Sequence, residues 1–409
     1  MQLVKMDQVT EVENGNILTP KGFKTAGFHA GLRYSKKDMG VIFSEVPAAS
    51  AAVYTTNQFQ AAPLKVTQDS IAQEGLLQAV IVNSACANAV TGERGYQDAL
   101  KMRSLTAEKF SLKESYVAVA STGVIGEYLK MDKISKGISA LTPGNLESDV
   151  EDFQTAILTT DIVMKSCGYT AVIDGKTIYM GGAAKGSGMI HPNMATMLGF
   201  LTTDAAISSE HLSVALKSVT NKTYNQITVD GDTSTNDMVL ILANGLAGND
   251  SLTPDHPEWS TFLKLLTQAS ESLAKQIAKD GEGATKLVEV EVLGAKDDEE
   301  ARFIAKQIVG SNLVKTAIFG ADANWGRIIS SIGQTKSLIN PDTVDITLGQ
   351  IKMLENSVPY EFPEDEAREY LNQPFITIGV HLHVGNGSGK AWGCDLSYDY
   401  VKINASYRT

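Results

Sequence analysis

The chain has 409 residues, 43% hydrophobic and 20% charged, with a net charge of −12. Its 35 lysines and arginines are scattered rather than clustered, which argues against a nucleic-acid or anionic-membrane partner and leaves solubility as the plain reason for the acidity. Such a length calls for one large domain or two, and the separated cysteines Cys86, Cys167 and Cys394, with no apolar leader in MQLVKMDQVTEVENG and no run of 18 apolar residues, read as reduced thiols in a cytosolic protein.

Taken in order, helical and strand patterns alternate, which predicts an α/β or α+β fold. LQAVIVNSA near position 80 reads as a buried strand, GYQDALKMRSLTAEKF from Gly95 as an amphipathic helix, and SYVAVASTGVIG from Ser115 as a second apolar strand ending at glycines. Leu146 to Leu158 has helical spacing. YTAVIDGKTIYMGG from Tyr169 predicts a hairpin turning at Asp174-Gly175, a favoured two-residue turn. TMLGFLTTDA from Thr196 reads as a strand, followed by a helix with Ser208 or Ser209 as its N-cap. ITVDGDTSTNDMVLILANG is polar in the middle and apolar at its end. A long helix from about Pro257 to Lys279 is expected to stop at a glycine-rich C-cap, Asp280 to Gly283. KLVEVEVLGA then alternates as a strand, and DDEEARFIAKQIVGS is helical. The stop at 280–283 is the expected boundary between an N-terminal domain, residues 1–283, and a smaller C-terminal one, residues 284–409. No internal repeat or low-complexity tract is evident.

Several motifs do not survive their own chemistry. GNGSGK from Gly385 has three residues between its glycines and Ala391 after Lys390, so it lacks the spacing and the hydroxyl of a phosphate loop. His381 and His383 alternate along a strand as a metal pair could, without an obvious third ligand, and no metal is expected. Cys86 could be a nucleophile, although a buried inert thiol is the commoner case. There is no GxSxG and no HExxH.

The stretch GGAAKGSGMIHPNMATMLGFL from Gly181 is different. Small residues crowd Lys185, and the chain then enters a strand at Thr196. Glycines let backbone approach closely and adopt conformations other residues avoid. A hydroxyl at that point could attack the carbonyl of Ala195 and, after ester hydrolysis, expose an α-amine. With an ordinary pKa near 8, that amine can serve as base for its own hydroxyl. The alternative is that Thr196 is an ordinary β-branched strand residue.

The motifs NSACANAVTG from Asn83, STGVIG from Ser121, KGSGMIHPNMATML from Lys185, ITVDGDTSTND from Ile227 and GADANWGRI from Gly320 occur in one order along nearly the whole chain. In them the sequence resembles the ornithine acetyltransferase family, also called glutamate N-acetyltransferase or ArgJ. The resemblance implies an αβ sandwich of the self-processing DmpA/ArgJ-like type with a smaller C-terminal α/β domain. It implies cleavage between Ala195 and Thr196 into chains 1–195 and 196–409 that stay together as an α2β2 assembly. Thr196 would be the nucleophile, Thr122 and Gly123 the oxyanion-stabilising pair, and Thr159, Lys185, Thr196, Glu282, Asn404 and Thr409 the substrate contacts. The implied reaction carries an acetyl group from N-acetylornithine to glutamate in arginine biosynthesis, with no cofactor. Acetyl-CoA serves some members as co-substrate. An amidase or aminopeptidase of similar self-cleaving fold, using water as acceptor, is the alternative. One block departs from the pattern: Ala85 and Cys86 stand where many members carry Gly and Asn, which puts a polar role of that loop in question.

Overall fold

The computed structural model describes residues 9–191 and 197–406. These form two β-sheets with helices between and around them. In the larger sheet the strand order is Thr10–Glu11, Lys165–Ile173, Lys176–Lys185, Leu198–Thr203, Met238–Ala243, Met39–Tyr54, Leu76–Asn83 and Val117–Ser121, with Phe23–Phe28 also paired to Met39–Tyr54. Most pairings are antiparallel. Leu198–Thr203 with Met238–Ala243, and Leu76–Asn83 with Val117–Ser121, are parallel.

The central strands are covered on both faces, so their sequences run apolar without alternation. In Met238–Ala243, alternate residues face different cores. Met238, Leu240 and Leu242 pack with Phe153, Ile157 and Phe200, while Val239 and Ile241 pack with Leu212, Leu265 and Leu273. The first face is closed by helix Glu147–Ile157, and the second by helices Ser209–Thr220 and Trp259–Lys279.

The smaller sheet runs Val358–Pro359, Ile351–Glu355, Asp345–Leu348, Phe375–His381, Leu287–Ala295, Gly387–Cys394, Ile227–Thr228. One face buries Val290, Val292 and Ile378 against Ile304 and Ile308 of helix Asp298–Val309. From the other, Leu287, Trp392 and Cys394 join the core built by helix Trp259–Lys279. That helix repeats apolar residues at helical spacing around much of its circumference, from Phe262 through Leu265, Leu266, Ala269 and Leu273 to Ile277, all fully buried, as a helix between two sheets requires. The smaller sheet takes its last strand, Ile227–Thr228, from the middle of the chain.

The expected elements near positions 80, 95, 115, 146 and 286 are all present, with the strand after Ser115 beginning at Val117 behind a short 3₁₀ turn. Ile173 pairs with Lys176 across the hairpin, and Asp174 and Gly175 have φ of 52° and 68°, the signs this turn requires. Ser208 caps its helix by accepting from the His211 amide. The long helix stops at Asp280 as expected, but not by a left-handed glycine cap. Asp280 closes it with φ −89°, and the positive φ, +71°, comes only at Gly283. The longest strand, Met39–Tyr54, carries no alternating pattern because its register shifts between Phe43 and Ala48, around Pro47. Among the described residues no helix is long and apolar enough to cross a membrane.

Trp392 lies 1% exposed at the junction of the two sheets, its indole N–H donating to Glu289 Oε2 at 2.6 Å. Trp392→Ala should cost about 3–5 kcal/mol in urea denaturation. A loss below about 1 kcal/mol would mean that the sheets are not joined through this core.

Candidate active site

Strand Val117–Ser121 ends at the mouth of a cavity, and the chain leaves it through Thr122 and Gly123. The Thr122 amide donates to Asn83 O at 2.9 Å, so its hydroxyl is what this residue offers inward. Gly123 has φ +129°, and a Cβ there would overlap the Ala85 carbonyl, so only glycine fits. Two asparagines hold this corner. Asn83 accepts from Ser121 Oγ at 2.5 Å and donates to Cys86 O at 2.9 Å, while Asn236 Nδ2 donates to Ala87 O at 2.6 Å and Ser121 O at 2.8 Å. The loop with the unusual Ala85 and Cys86 thus supports the turn through its backbone. Cys86 itself is buried, donates to Glu127 O at 3.0 Å and does not line the cavity; burial pushes its thiol up, away from a nucleophilic thiolate.

Lys185 ends strand Lys176–Lys185 beside Leu198, and its ammonium is 3.5 Å from Thr122 Oγ1. Burial pulls its pKa down while the nearby carboxylate of Asp161 pulls it back up. Asp161 gathers several of the surrounding groups. Its carboxylate accepts from the Gly186 amide at 2.6 Å, the Thr159 amide at 2.9 Å and Lys165 Nζ at 2.7 Å. Burial opposes its charge, yet Lys185 and Lys165 together hold the carboxyl well below the usual range. Lys165 also donates to Asp280 Oδ2 at 2.6 Å, and all three side chains are at most 2% exposed. Asp280 stands at the C-terminal end of helix Trp259–Lys279, where the helix dipole disfavours a carboxylate; Lys165 offsets that.

Two residues beyond Asp280, the Glu282 amide donates to Ser187 O at 2.9 Å. Its carboxylate lies so close to Gly188 that a side chain there would collide with it. Asn404, on helix Tyr398–Ser406, donates to Glu282 Oε2 at 2.8 Å. Asp230 accepts from the Met189 and Ile190 amides at 2.7 and 2.8 Å, fixing the backbone ahead of residue 192. Asp237 also lines the cavity, 3% exposed, with Oδ2 lacking a hydrogen-bond partner among the described residues. Burial raises its pKa well above the ordinary value.

The cavity encloses about 280 Å³, and Thr122, Gly123, Thr159, Lys185, Glu282 and Asn404 all line it. Six positions expected from separate regions of the sequence therefore meet at one place. Ala195, Thr196 and Thr409 lie outside the described residues; Met197, the chain neighbour of Thr196, lines the same cavity. Sequence reasoning missed Asp161, Lys165, Asp280, Asp230, Asn236 and Asp237. The only hint was the polar run VDGDTSTND inside an otherwise apolar segment. His381 and His383 stack with ring centroids 3.8 Å apart, and His383 Nε2 pairs with Asp345 Oδ2 at 2.7 Å. Among the described residues no three His, Cys, Asp or Glu side chains are grouped to hold a metal ion. GNGSGK leads into strand Gly387–Cys394 rather than a helix.

Lys165→Met should strand two buried carboxylates, at a cost of about 3–5 kcal/mol. Chemical denaturation would measure it, and a neutral result would show that the triad is not what holds the 159–163 and 280–283 segments together.

The ArgJ family model matches residues 24–409. The chain is 66% identical over 402 residues to the arginine biosynthesis bifunctional protein ArgJ of Geobacillus kaustophilus, covering 98% of each. It is 60% identical over 407 residues to the protein of that name from Bacillus cereus, covering all of both. A solved chain of the arginine biosynthesis bifunctional protein argJ from Bacillus halodurans is 62% identical with a TM-score of 0.51, and 52% of this chain covers 100% of that one.

Proposed function

The chain belongs to the ArgJ family, and from that membership and the cavity we propose a glutamate N-acetyltransferase that moves the acetyl group of N-acetylornithine to glutamate through an ester on Thr196. The observation that carries the reading is the meeting of Thr122, Gly123, Thr159, Lys185, Glu282 and Asn404 around one cavity bordered by Met197. Acetyl-CoA is a second acetyl donor in this proposal, in keeping with the bifunctional name of the relatives. No cofactor takes part.

Activation comes first. The Thr196 hydroxyl attacks the Ala195 carbonyl, the C–N bond breaks to leave an ester, and water hydrolyses it. The products are a carboxylate on Ala195 and a free amine on Thr196. In support, 52% of this chain covers the whole of the solved Bacillus halodurans chain, the share of the sequence that residues 196–409 represent. The pieces would remain together, because Lys176–Lys185 on one side of the cut pairs with Leu198–Thr203 on the other. An α2β2 assembly is the expected form.

In turnover, the amine takes the proton from the Thr196 hydroxyl as the oxygen attacks the acetamide carbon. Negative charge gathers on the former carbonyl oxygen, where the Thr122 hydroxyl and the Gly123 amide serve as donors. The intermediate collapses, ornithine departs as its protonated amine, and acetyl-Thr196 remains. The glutamate amine attacks that ester, and N-acetylglutamate leaves as the hydroxyl is restored. Lys185 is suited to the α-carboxylate that both substrates share. Glu282, held by Asn404, is suited to the ornithine ammonium, with Thr409 as a further substrate contact.

Thr196→Ala should remain a single chain of 43.8 kDa without transferase activity, whereas the native sequence gives two fragments in an intact-mass spectrum. Cleavage of the variant at the same bond would refute the mechanism. Thr122→Ala should lower kcat by about 10²–10³-fold and leave KM nearly unchanged. A raised KM with kcat intact would make Thr122 a binding residue instead. Release of free acetate in place of N-acetylglutamate would identify an amidase.

A further inference from the structure

A groove of about 650 Å³ lies on the far side of the wall that encloses the active cavity. The two share that wall residue by residue. Ile190 lines the cavity and His191 the groove, while Asp232 and Ser234 face the cavity and Gly231 and Thr233 the groove. The wall is thus about one chain thick, its two segments joined where Thr233 Oγ1 donates to His191 O at 2.9 Å.

The groove is cationic in a protein of net charge −12. Arg302 and Lys306 stand one turn apart on helix Asp298–Val309 and both line it. Among its described lining residues Glu299 is the only carboxylate. Among the described residues, the Arg302 guanidinium has no hydrogen-bond or ion-pair partner. Burial lowers the Lys306 ammonium to about 8. Between the two cations Phe303 is 53% exposed, a flat apolar face open to the groove. Two cations beside an exposed aromatic ring suit phosphates attached to a heteroaromatic base. Neither N-acetylornithine nor glutamate has such a part.

We propose that this groove seats the phosphorylated nucleotide portion of a thioester acyl donor, acetyl-CoA, whose acetyl end enters the adjoining cavity. The inference rests on the reading that acetyl groups pass through Thr196, and it deepens that reading by giving the second donor a place of its own. In the step it serves, the Thr196 oxygen attacks the thioester carbon and the C–S bond breaks. The thiol leaves with the proton taken from the hydroxyl, and the same acetyl-Thr196 ester results. Arg302 and Lys306 hold the donor and touch no reacting atom.

The test compares two reactions on the same protein: acetyl transfer to glutamate from N-acetylornithine and from acetyl-CoA. Arg302→Ala and Lys306→Gln should each raise KM for acetyl-CoA by about 10- to 150-fold, the range for one charge-assisted contact, and leave the N-acetylornithine reaction within about twofold. Arg302→Glu guards against a merely structural effect, since it should abolish acetyl-CoA use while transfer from N-acetylornithine reports an intact fold. Adenosine 3′,5′-bisphosphate should inhibit the acetyl-CoA reaction competitively and spare the other. Equal losses in both reactions, or an unchanged KM for acetyl-CoA, would overturn the assignment. Transfer from N-acetylornithine with none from acetyl-CoA in the native protein would overturn it too, and would leave the proposed transferase standing. Absence of transfer from either donor would instead overturn the transferase reading itself.

Discussion

A single ammonium group, that of Lys165, lies fully buried between the carboxylates of Asp161 and Asp280, 115 residues apart from the second of them. Burying three charges is costly, and attraction offsets the cost only where geometry and further hydrogen bonds are good. Both conditions hold at this triad. Asp161 also receives the Gly186 and Thr159 amides, and Asp280 receives that of Ile162 at 3.2 Å. The strand that carries Lys165, the loop that carries Thr159, the turn after Lys185 and the end of the long helix are thereby fixed to one point. Glu282 comes two residues later, so its distance from Lys185 is inherited from this triad. An apolar cluster of the same volume could stabilise the region as well, but could not orient the 159–162 loop and the turn at Gly186 by their amides.

The cavity extends this electrostatic arrangement. Lys185 is buried with Asp161 as the main influence raising its pKa, while Asp237, equally buried, is driven toward its neutral form. Cation and carboxylate have thus been separated: Lys185 faces Thr122, and Glu282 faces Asn404. A ligand bearing both an anionic and a cationic end has one partner for each, in surroundings of low dielectric where both count for more than in water.

Local chemistry made part of this legible. The Asp174-Gly175 hairpin, the Ser208 cap and the apolar runs of the central strands all arise from residues close in sequence. Strand Met39–Tyr54 did not, since its bulge breaks the alternation that betrays a strand. Thr122, Lys185, Glu282 and Asn404 entered through resemblance to a family, and their meeting at one cavity could not be read from composition or spacing. The residues that hold them were invisible for a different reason. Nothing local to Lys165 points to Asp280, and Asn236 reaches Ala87 across 149 positions. Supporting shells are made of long-range pairs, and one sequence records only neighbours.

The order of strands in the larger sheet has a consequence for the life of the protein. Leu198–Thr203 and Met238–Ala243 lie between Lys176–Lys185 on one side and Met39–Tyr54 on the other. A chain severed ahead of position 197 is therefore interleaved, with its later half threaded into a slot formed by its earlier half. While the backbone is whole, filling that slot is a loop closure within one molecule, and its entropic cost grows only slowly with length. Once the backbone is cut, filling it becomes an encounter between two fragments, each exposing apolar strand edges to every other fragment in solution. Assembly would then have a direction in time. A severed protein would persist because it was once continuous, and its durability would be the slowness of coming apart rather than the ease of going back together.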